Sequence, residues 1–518
     1  MPTQTRVAKA AIILMVAMIL SRVLGYVRDM VILAQFGQNF LTDAYNAAFT
    51  IPDLLYYLVV GGALNAAFIP VFSSYIAREE EQEGWHVASI VLNLILIIML
   101  SGIILIMIFT PQLVELMVPG FTAESKLLTV AMTRIMLVQA FLMALTGVTT
   151  GILNSYQKFF PTALGSVLYN VGIIIVGSLL SRYFGITAFA VGVAVGAAAQ
   201  FLVVFNAVRK LGAQYKPIID LHHPGVRKII GLIIPVLIGH SIHQINLIVN
   251  QNLVSNLAEG LLSALRNAQR ITQLPIGVFA ISIAMASFPT MSRHFARNER
   301  DEFLDTMSLG LRTIFFVSLP SALGIMAIRT PIIRLLFERG NYTAQDTEAT
   351  AYALFFYCLG LLAYASLQHL TRVFYAIQDT RTPVITGMLT VVVNFLLNIW
   401  LIKVLGHGGS ALAYSLAGTF NILLMLYILK WKLKRIGGKK ILLSLIKTLA
   451  ISLVMGIVVY YTSQLISLVI EPVDKLAQLI QVVGSVGVGV VVYTVLSLAL
   501  KMEEAEMVKS LLKKRLRR

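Results

Sequence analysis

Long apolar runs recur along the chain at near-regular intervals, separated by short polar or basic stretches. A helix needs about 20 mostly apolar residues to cross a bilayer. Fourteen segments meet or approach that: residues 10–33, 42–66, 88–109, 127–153, 160–180, 186–208, 227–254, 263–290, 306–328, 348–376, 383–403, 409–430, 441–466 and 475–500. Segments such as Val91 to Phe109 are solidly apolar, whereas the strands of an outer-membrane barrel alternate. The pattern therefore predicts an all-α polytopic membrane protein with fourteen transmembrane helices. The second segment is the weakest: Asp43, Pro52 and Asp53 interrupt it, which predicts a broken helix lining protein or water rather than lipid. The first segment is followed by more membrane sequence, so it reads as a span and not a cleaved signal.

The pattern also repeats. Residues 66–75, AAFIPVFSSY, match 286–295, ASFPTMSRHF, once a small gap is allowed, pairing Pro70 with Pro289. Residues 151–162, GILNSYQKFFPT, match 373–384, VFYAIQDTRTPV, pairing Gln157 with Gln378 and Pro161 with Pro383. A six-helix unit returns the chain to its starting side, so its two copies are expected to be parallel. This predicts a lobe over residues 1–215, a second lobe over 216–435, a helix pair over 436–500 and a basic tail over 501–518. Two lobes suggest a cleft worked by alternating access.

Composition agrees with the class: 58% of residues are hydrophobic and 13% charged, where soluble domains carry about a quarter charged. The net charge of +17 does not call for nucleic acid, because the basic residues gather in loops and at the tail, where they suit anionic lipid headgroups. Arg209, Lys210, Lys216, Arg227 and Lys228 follow the sixth span. Lys430, Lys432, Lys434, Arg435, Lys439 and Lys440 follow the twelfth, and Lys513, Lys514, Arg515, Arg517 and Arg518 end the chain. The excess of Lys and Arg on one side places both termini in the cytoplasm. Arg329, Arg334 and Arg339 dissent from the predicted outer side, through a misplaced boundary or contact with an anionic outer ligand. The single cysteine, Cys358, excludes an internal disulfide and reads as core packing.

Charges inside the apolar runs cost about 2.5–3.5 kcal/mol each at the centre of a membrane helix, so they are expected to face a polar space. Arg22 and Arg28 lie in the first span. Arg266, Arg270 and Gln273 lie in the eighth at spacings of four and three, on one helical face, with Pro275 inviting a kink beside them. Several arginines against few carboxylates suit an anionic substrate, since guanidinium grips phosphate bidentately. The competing reading pairs them structurally with Asp29, Asp43, Asp53 and Glu259, or lets them snorkel to headgroups. Asn250, Asn394 and Asn398 could coordinate a small cation such as Na+, or glue helices together. His240 and His243 beside Asn246 could take a proton, or pack as hydrogen-bonded histidines. The small residues Gly61, Gly62, Ala63, Gly192 and Gly196 allow close helix approach. No phosphate-binding loop, His-Glu-x-x-His or nucleophile elbow occurs, and Cys358 has no metal-ligand partner, so no enzyme and no metal site is expected.

The stretches SRVLGYVRD (21–29), TDA (42–44), IPDLL (51–55), AFIP (67–70) and AQRITQLP (268–275) together resemble the MviN/MurJ lipid II flippase family. That family is a branch of the multidrug/oligosaccharidyl-lipid/polysaccharide exporter superfamily. The resemblance covers nearly the whole chain. It implies a bacterial inner-membrane transporter that flips lipid II, the undecaprenyl-diphosphate-linked disaccharide-pentapeptide, with other cell-wall synthesis proteins as partners. It implies two lobes around a cationic cavity and a final helix pair that holds the lipid tail. By motif it assigns importance to Arg22, Arg28, Asp43 and Arg270, Asp43 orienting or competing for an arginine. Two departures stand out. Tyr56, Tyr57 and Gly61 occupy places where many members have two arginines and a glutamate, and Gln269 to Gln273 replaces an Asp-Arg-x-x-Glu pattern. The energy source is expected to be a Na+ or H+ coupling ion or the membrane potential. Rival readings are an exporter of another polyprenyl-diphosphate-linked glycan, a drug/cation antiporter, whose cleft would be dominated by carboxylates, and a scaffold for wall or flagellar assembly.

Overall fold

The computed structural model describes residues 2–60 and 67–516, and they are helical almost throughout. The chain forms two compact units, Met1–Gly260 and Leu261–Arg518. The first contains α1 (Pro2–Phe36), α2 (Phe40–Ala48), α3 (Thr50–Val59), α4 (Ile69–Ala77), α5 (Glu81–Met117), α6 (Ala123–Ser155), α7 (Phe160–Phe184), α8 (Thr187–Arg209) and α9 (Pro224–Val254). The second contains α10 (Leu261–Pro275), α11 (Ile281–Ala296), α12 (Arg300–Ala327), α13 (Arg329–Phe337), α14 (Ala344–Ala376), α15 (Arg381–Leu405), α16 (His407–Leu433), α17 (Gly438–Val469), α18 (Lys475–Ala499) and α19 (Glu503–Leu516).

Among the described residues, 11 helices are long and apolar enough to cross a membrane: α5 to α8, the continuous α10–α11, α12, and α14 to α18. The protein is thus an all-α polytopic membrane protein with about eleven candidate spans. The other three expected segments fall on α1, on α2–α3 and on α9. Residues 61–66, including Gly61, Gly62 and Ala63, lie outside the described residues, as do the side chains of Pro235, His240 and His243 and the terminal Arg517 and Arg518. The interrupted second segment is broken as its polar residues suggested. α2 stops at Ala48 and α3 restarts at Thr50. Asn39 caps α2, its side chain accepting the Leu41 amide while the Thr42 hydroxyl accepts the Asn39 amide. α9, which the repeat assigned to the second lobe, packs on α3, α4 and α5 within the first unit.

The internal repeat reappears in the backbone. Glu79 and Asn298 both adopt positive φ (61° and 57°) at the turns before α5 and α12. Gln157 and Gln378, aligned from sequence, do so at 56° and 60°, before α7 and α15. Gly185 and Gly406 end those two helices with nearly the same dihedrals, φ 55°, ψ −141° and φ 57°, ψ −137°. Positive φ is uncommon outside glycine, so its recurrence at aligned non-glycine positions marks two copies of one helix–turn pattern.

Close packing follows the small residues. A Cβ on Gly172 in α7 would lie 2.7 Å from the Gly196 Cα in α8, and one on Gly196 would lie 2.4 Å from the Tyr169 carbonyl oxygen. No larger residue fits at either point, and small residues at such crossings let helix backbones approach within a membrane. Each unit also has its own apolar core. In the first, Phe68 stacks on Phe72 and Trp85 on Tyr156, with Phe72 meeting Trp85 edge to face, and Met291, Met307, Phe303, Phe315 and Phe374 fill the second. Outward faces stay apolar, as at Ile104, Leu105, Ile108 and Phe109 of α5.

The tail does not hang free at its start. Arg312 of α12 is buried, and its Nε donates to Glu504 at 2.7 Å while Nη2 donates to Glu503 at 2.6 Å. Ser444 of α17 adds a hydrogen bond to the same Glu504 oxygen at 3.0 Å. α19 is thereby tied to α12 and α17, and the adjacent guanidinium holds the Glu503 carboxyl below its ordinary range.

Candidate functional site

In the first unit the candidate residues lie on α1 and α2. Arg28 is half-buried against α7. Its Nε and Nη2 donate to Asp29 Oδ1 at 3.1 and 3.0 Å, and its Nη1 donates to Asn170 Oδ1 at 3.4 Å. The Asn170 amide in turn reaches the Ser21 carbonyl and hydroxyl, at 3.3 and 3.4 Å. Arg28 thus has both a carboxylate and an amide as partners, so the structural pairing weighed for it from sequence is present. Arg22, six residues earlier on the same helix, is exposed and makes no ion pair or hydrogen bond among the described residues.

Asp43 is buried at 3% exposure, and its Oδ2 accepts the Gly260 amide at 2.6 Å. Gly260 has φ +85°, and a Cβ there would sit 2.4 Å from the Gln38 carbonyl oxygen. The carboxylate is therefore spent, at least in part, on fixing a tight turn ahead of α10. Beyond it, Tyr56 and Tyr57 stand edge to face at 5.4 Å, aromatic where the resemblance would put arginines.

In the second unit α10 is strongly one-sided. Leu262, Ala264, Leu265, Asn267, Ala268, Ile271 and Thr272 are buried; Arg266 and Arg270 are half-buried, and Gln273 is exposed. The helix reaches Pro275 intact and then winds as a π-helical turn over Ile276–Ala280. Proline supplies no amide hydrogen, and widening the next turn re-satisfies carbonyls left without their usual partner, so the irregularity expected beside Arg270 takes the form of a π-bulge.

Facing α10 is a group the sequence did not single out. Tyr364 and Tyr414 stack at 4.1 Å, and Tyr357 meets Tyr414 edge to face at 5.4 Å. The Tyr364 hydroxyl donates to the Tyr414 carbonyl at 3.2 Å, Tyr414 is hydrogen-bonded to Gln269, and Tyr357 lies within electrostatic reach of Arg266. These aromatics sit in apolar runs where tyrosine reads as ordinary core; only the pairing of Tyr357 and Tyr364 two turns apart on α14 could have flagged them. Asn394 and Asn398 are buried on α15, Asn398 donating to the Asn394 carbonyl and side-chain oxygen, while Asn250 lies on α9 in the other unit. Among the described residues no three His, Cys, Asp or Glu side chains cluster as metal ligands.

The chain matches the family model for lipid II flippase MurJ over residues 32–479. It is 30% identical to the probable lipid II flippase MurJ of Rickettsia prowazekii over 417 residues, covering 80% of this chain and 82% of that relative. In three dimensions it resembles a solved lipid II flippase MurJ in an inward closed conformation, with TM-score 0.78 and 29% identity over 94% of this chain and 98% of the other. An inward-facing multidrug-resistance MATE transporter of the MOP superfamily shares the fold at 17% identity, TM-score 0.66, covering 80% of this chain and 95% of that one.

Proposed function

The chain belongs to the MurJ family of lipid II flippases, a branch of the MOP superfamily, and from that premise we propose the site and mechanism below. It is a transporter, a multi-pass protein of the bacterial plasma membrane that moves lipid II across the bilayer for peptidoglycan synthesis. Movement runs from the inner to the outer leaflet by alternating access, with no covalent step. The chain crosses the membrane fourteen times as two parallel six-helix lobes, residues 1–215 and 216–435, followed by a helix pair over 436–500. Both termini are cytoplasmic. The recurrence of left-handed backbone at aligned positions supports the two-lobe reading, and the basic loops support the orientation.

Lipid II carries an anionic diphosphate between a bulky polar head and a long apolar tail. Arg22, Arg28, Arg266 and Arg270 take the diphosphate, and Gln273 hydrogen-bonds the polar head. Their duties differ. Arg28 is already paired with Asp29, which leaves less of its charge and fewer of its donors for the cargo, whereas Arg22 has no partner for its planar fork among the described residues. Asp43 acts on the cargo only through the turn it holds. Asn250, Asn394 and Asn398 are assigned to a coupling cation; otherwise the membrane potential, worth about 2.3 kcal/mol per charge per 100 mV, drives the cycle. The basic tail meets anionic lipid headgroups.

The observation that carries this reading is Arg22: an exposed arginine on an apolar helix, without a partner among the described residues. Lipid would penalise it by about 2.5–3.5 kcal/mol, so a polar space or an anion must answer it. Cells depleted of their own lipid II flippase test the proposal. The unmodified gene is expected to restore growth, while Arg22→Ala and Arg270→Ala at matched expression are not. Rescue by all three versions would remove the arginines from the mechanism; failure of the unmodified gene would point to another lipid-linked glycan.

A further inference from the structure

Three arginines at the turn around α13 are not among the residues assigned to the cargo: Arg329, Arg334 and Arg339. Two are absorbed by the fold. Arg334 pairs with Glu338 at 3.5 Å, and Arg339 Nη2 donates to the Leu335 and Leu336 carbonyls at 2.9 and 2.8 Å, closing the C-terminal end of α13. Arg329 is different. Its guanidinium lies 5.3 Å from the centroid of the Phe355 ring and donates once, from Nη1 to the Met326 carbonyl at 3.1 Å. No carboxylate answers it among the described residues.

Arg329 lines an open pocket of about 570 Å³ formed by residues of the second unit, with Tyr352, Phe355, Phe356 and Glu348 beside it. That volume falls in the range of about 300–1,000 Å³ typical of small-molecule sites. Glu348 is exposed and, like Arg329, forms no ion pair among the described residues. One wall thus offers a cation and another an anion, kept apart, with aromatic surface around them. Opposite charges lining one pocket would be expected to close on each other unless geometry prevents it; unpaired, they match a ligand that carries both signs.

Glu348, Tyr352, Phe355 and Leu359 recur at spacings of four, three and four, so they form one stripe along α14. The stripe runs from a carboxylate, through Tyr352, a residue type that gathers at the membrane interface, and Phe355, to an exposed leucine about 16 Å further along at 1.5 Å per residue. A free polar metabolite has no use for that apolar extension.

We propose that this cavity binds a zwitterionic phospholipid, the phosphodiester on Arg329, the primary ammonium at Glu348, and an acyl chain along Tyr352 and Leu359. The bound lipid is a fixed component of the second unit and not the transported cargo, and the proposal holds whichever leaflet this end of α14 meets.

Native mass spectrometry of the full-length protein, released from nanodiscs made of equal parts phosphatidylethanolamine and phosphatidylglycerol, provides the test. One phosphatidylethanolamine retained per chain is expected. Arg329→Ala should lower retention of both lipids at least tenfold. Glu348→Gln, at an exposed position that does not threaten folding, should leave phosphate binding intact but abolish the preference for the ammonium headgroup. Equal retention by both variants and the unmodified protein would overturn the assignment. So would full competition by soluble glycerophosphoethanolamine, which would make the ligand a free metabolite, or displacement by equimolar lipid II, which would make the cavity part of the transport path. The readout is binding, so it stands or falls separately from flippase activity.

Discussion

Arg22 and Arg28 lie on one helix and would read alike in any charge count, yet their surroundings give them different work. Neighbouring residues do not ordinarily face each other on a helix. The Arg28–Asp29 pair forms because a half-buried guanidinium beside α7 has little water to turn to, and the long side chain folds back onto the adjacent carboxylate at 3.0 Å. This pairing could be weighed from the sequence but not decided, since it depends on how closely α7 approaches. Asp43 is a comparable case. Its hydrogen bond to Gly260 joins residues far apart in the chain, and no local pattern announces it. A charge-assisted hydrogen bond of this kind contributes about 1.5–3 kcal/mol, and a non-glycine residue forced to positive φ costs about 1–2 kcal/mol before any clash. Gly260→Ala and Asp43→Asn are both expected to lower the melting temperature of the purified protein. Were Asp43 only a contact for cargo, Asp43→Asn would slow transport while leaving thermal stability unchanged.

At the scale of elements, most spans were legible because period and length suffice to recognise a long apolar helix. The break between α2 and α3 and the irregularity after Pro275 were legible too, since proline and intramembrane aspartate each leave a backbone or charge requirement that a continuous helix cannot meet. The tyrosine group on α14 and α16 and the Arg312 tie to α19 were not. Both arise where helices meet, and their members look like ordinary interior residues within their own segments. The turn from α14 to α15 offers an element-scale test. Burial disfavours the charged form of Asp379, but Lys432 at 2.7 Å, the Thr382 hydroxyl and the Thr382 amide outweigh it, holding the carboxyl at about 2 instead of 3.8. A lowered folded-state value means the contact is fully present above about pH 4 and is lost as pH falls towards 2. Hydrogen exchange at the Arg381 and Thr382 amides, corrected for intrinsic rate, should lose protection over that window, and Asp379→Asn should remove the dependence. Protection that is flat with pH in the unmodified protein would contradict the assignment.

At the scale of the whole molecule, the repeat is the strongest link between sequence and fold. Two aligned segments each place a glutamine ahead of a helix with proline in its first turn, and the structure gives both glutamines the same left-handed backbone. A sequence match of a dozen residues is thus matched by a conformation that most side chains avoid. The division into compact units falls at Gly260, after α9, because contact follows packing and not descent; α9 lies on α3 to α5 although the repeat counts it with the later helices. What no pattern in the chain conveys is how strongly each charge is engaged, and the proposed hold of the arginines on a diphosphate depends on it. Flipping of fluorescent lipid II in vesicles reconstituted with the full-length protein, followed with a membrane-impermeant quencher, measures this most directly. Capture of the diphosphate by these arginines predicts rapid loss of protected signal with the unmodified protein, and rates at least tenfold lower for Arg22→Ala and for Arg270→Ala with folding intact. Unchanged rates in both variants would contradict it.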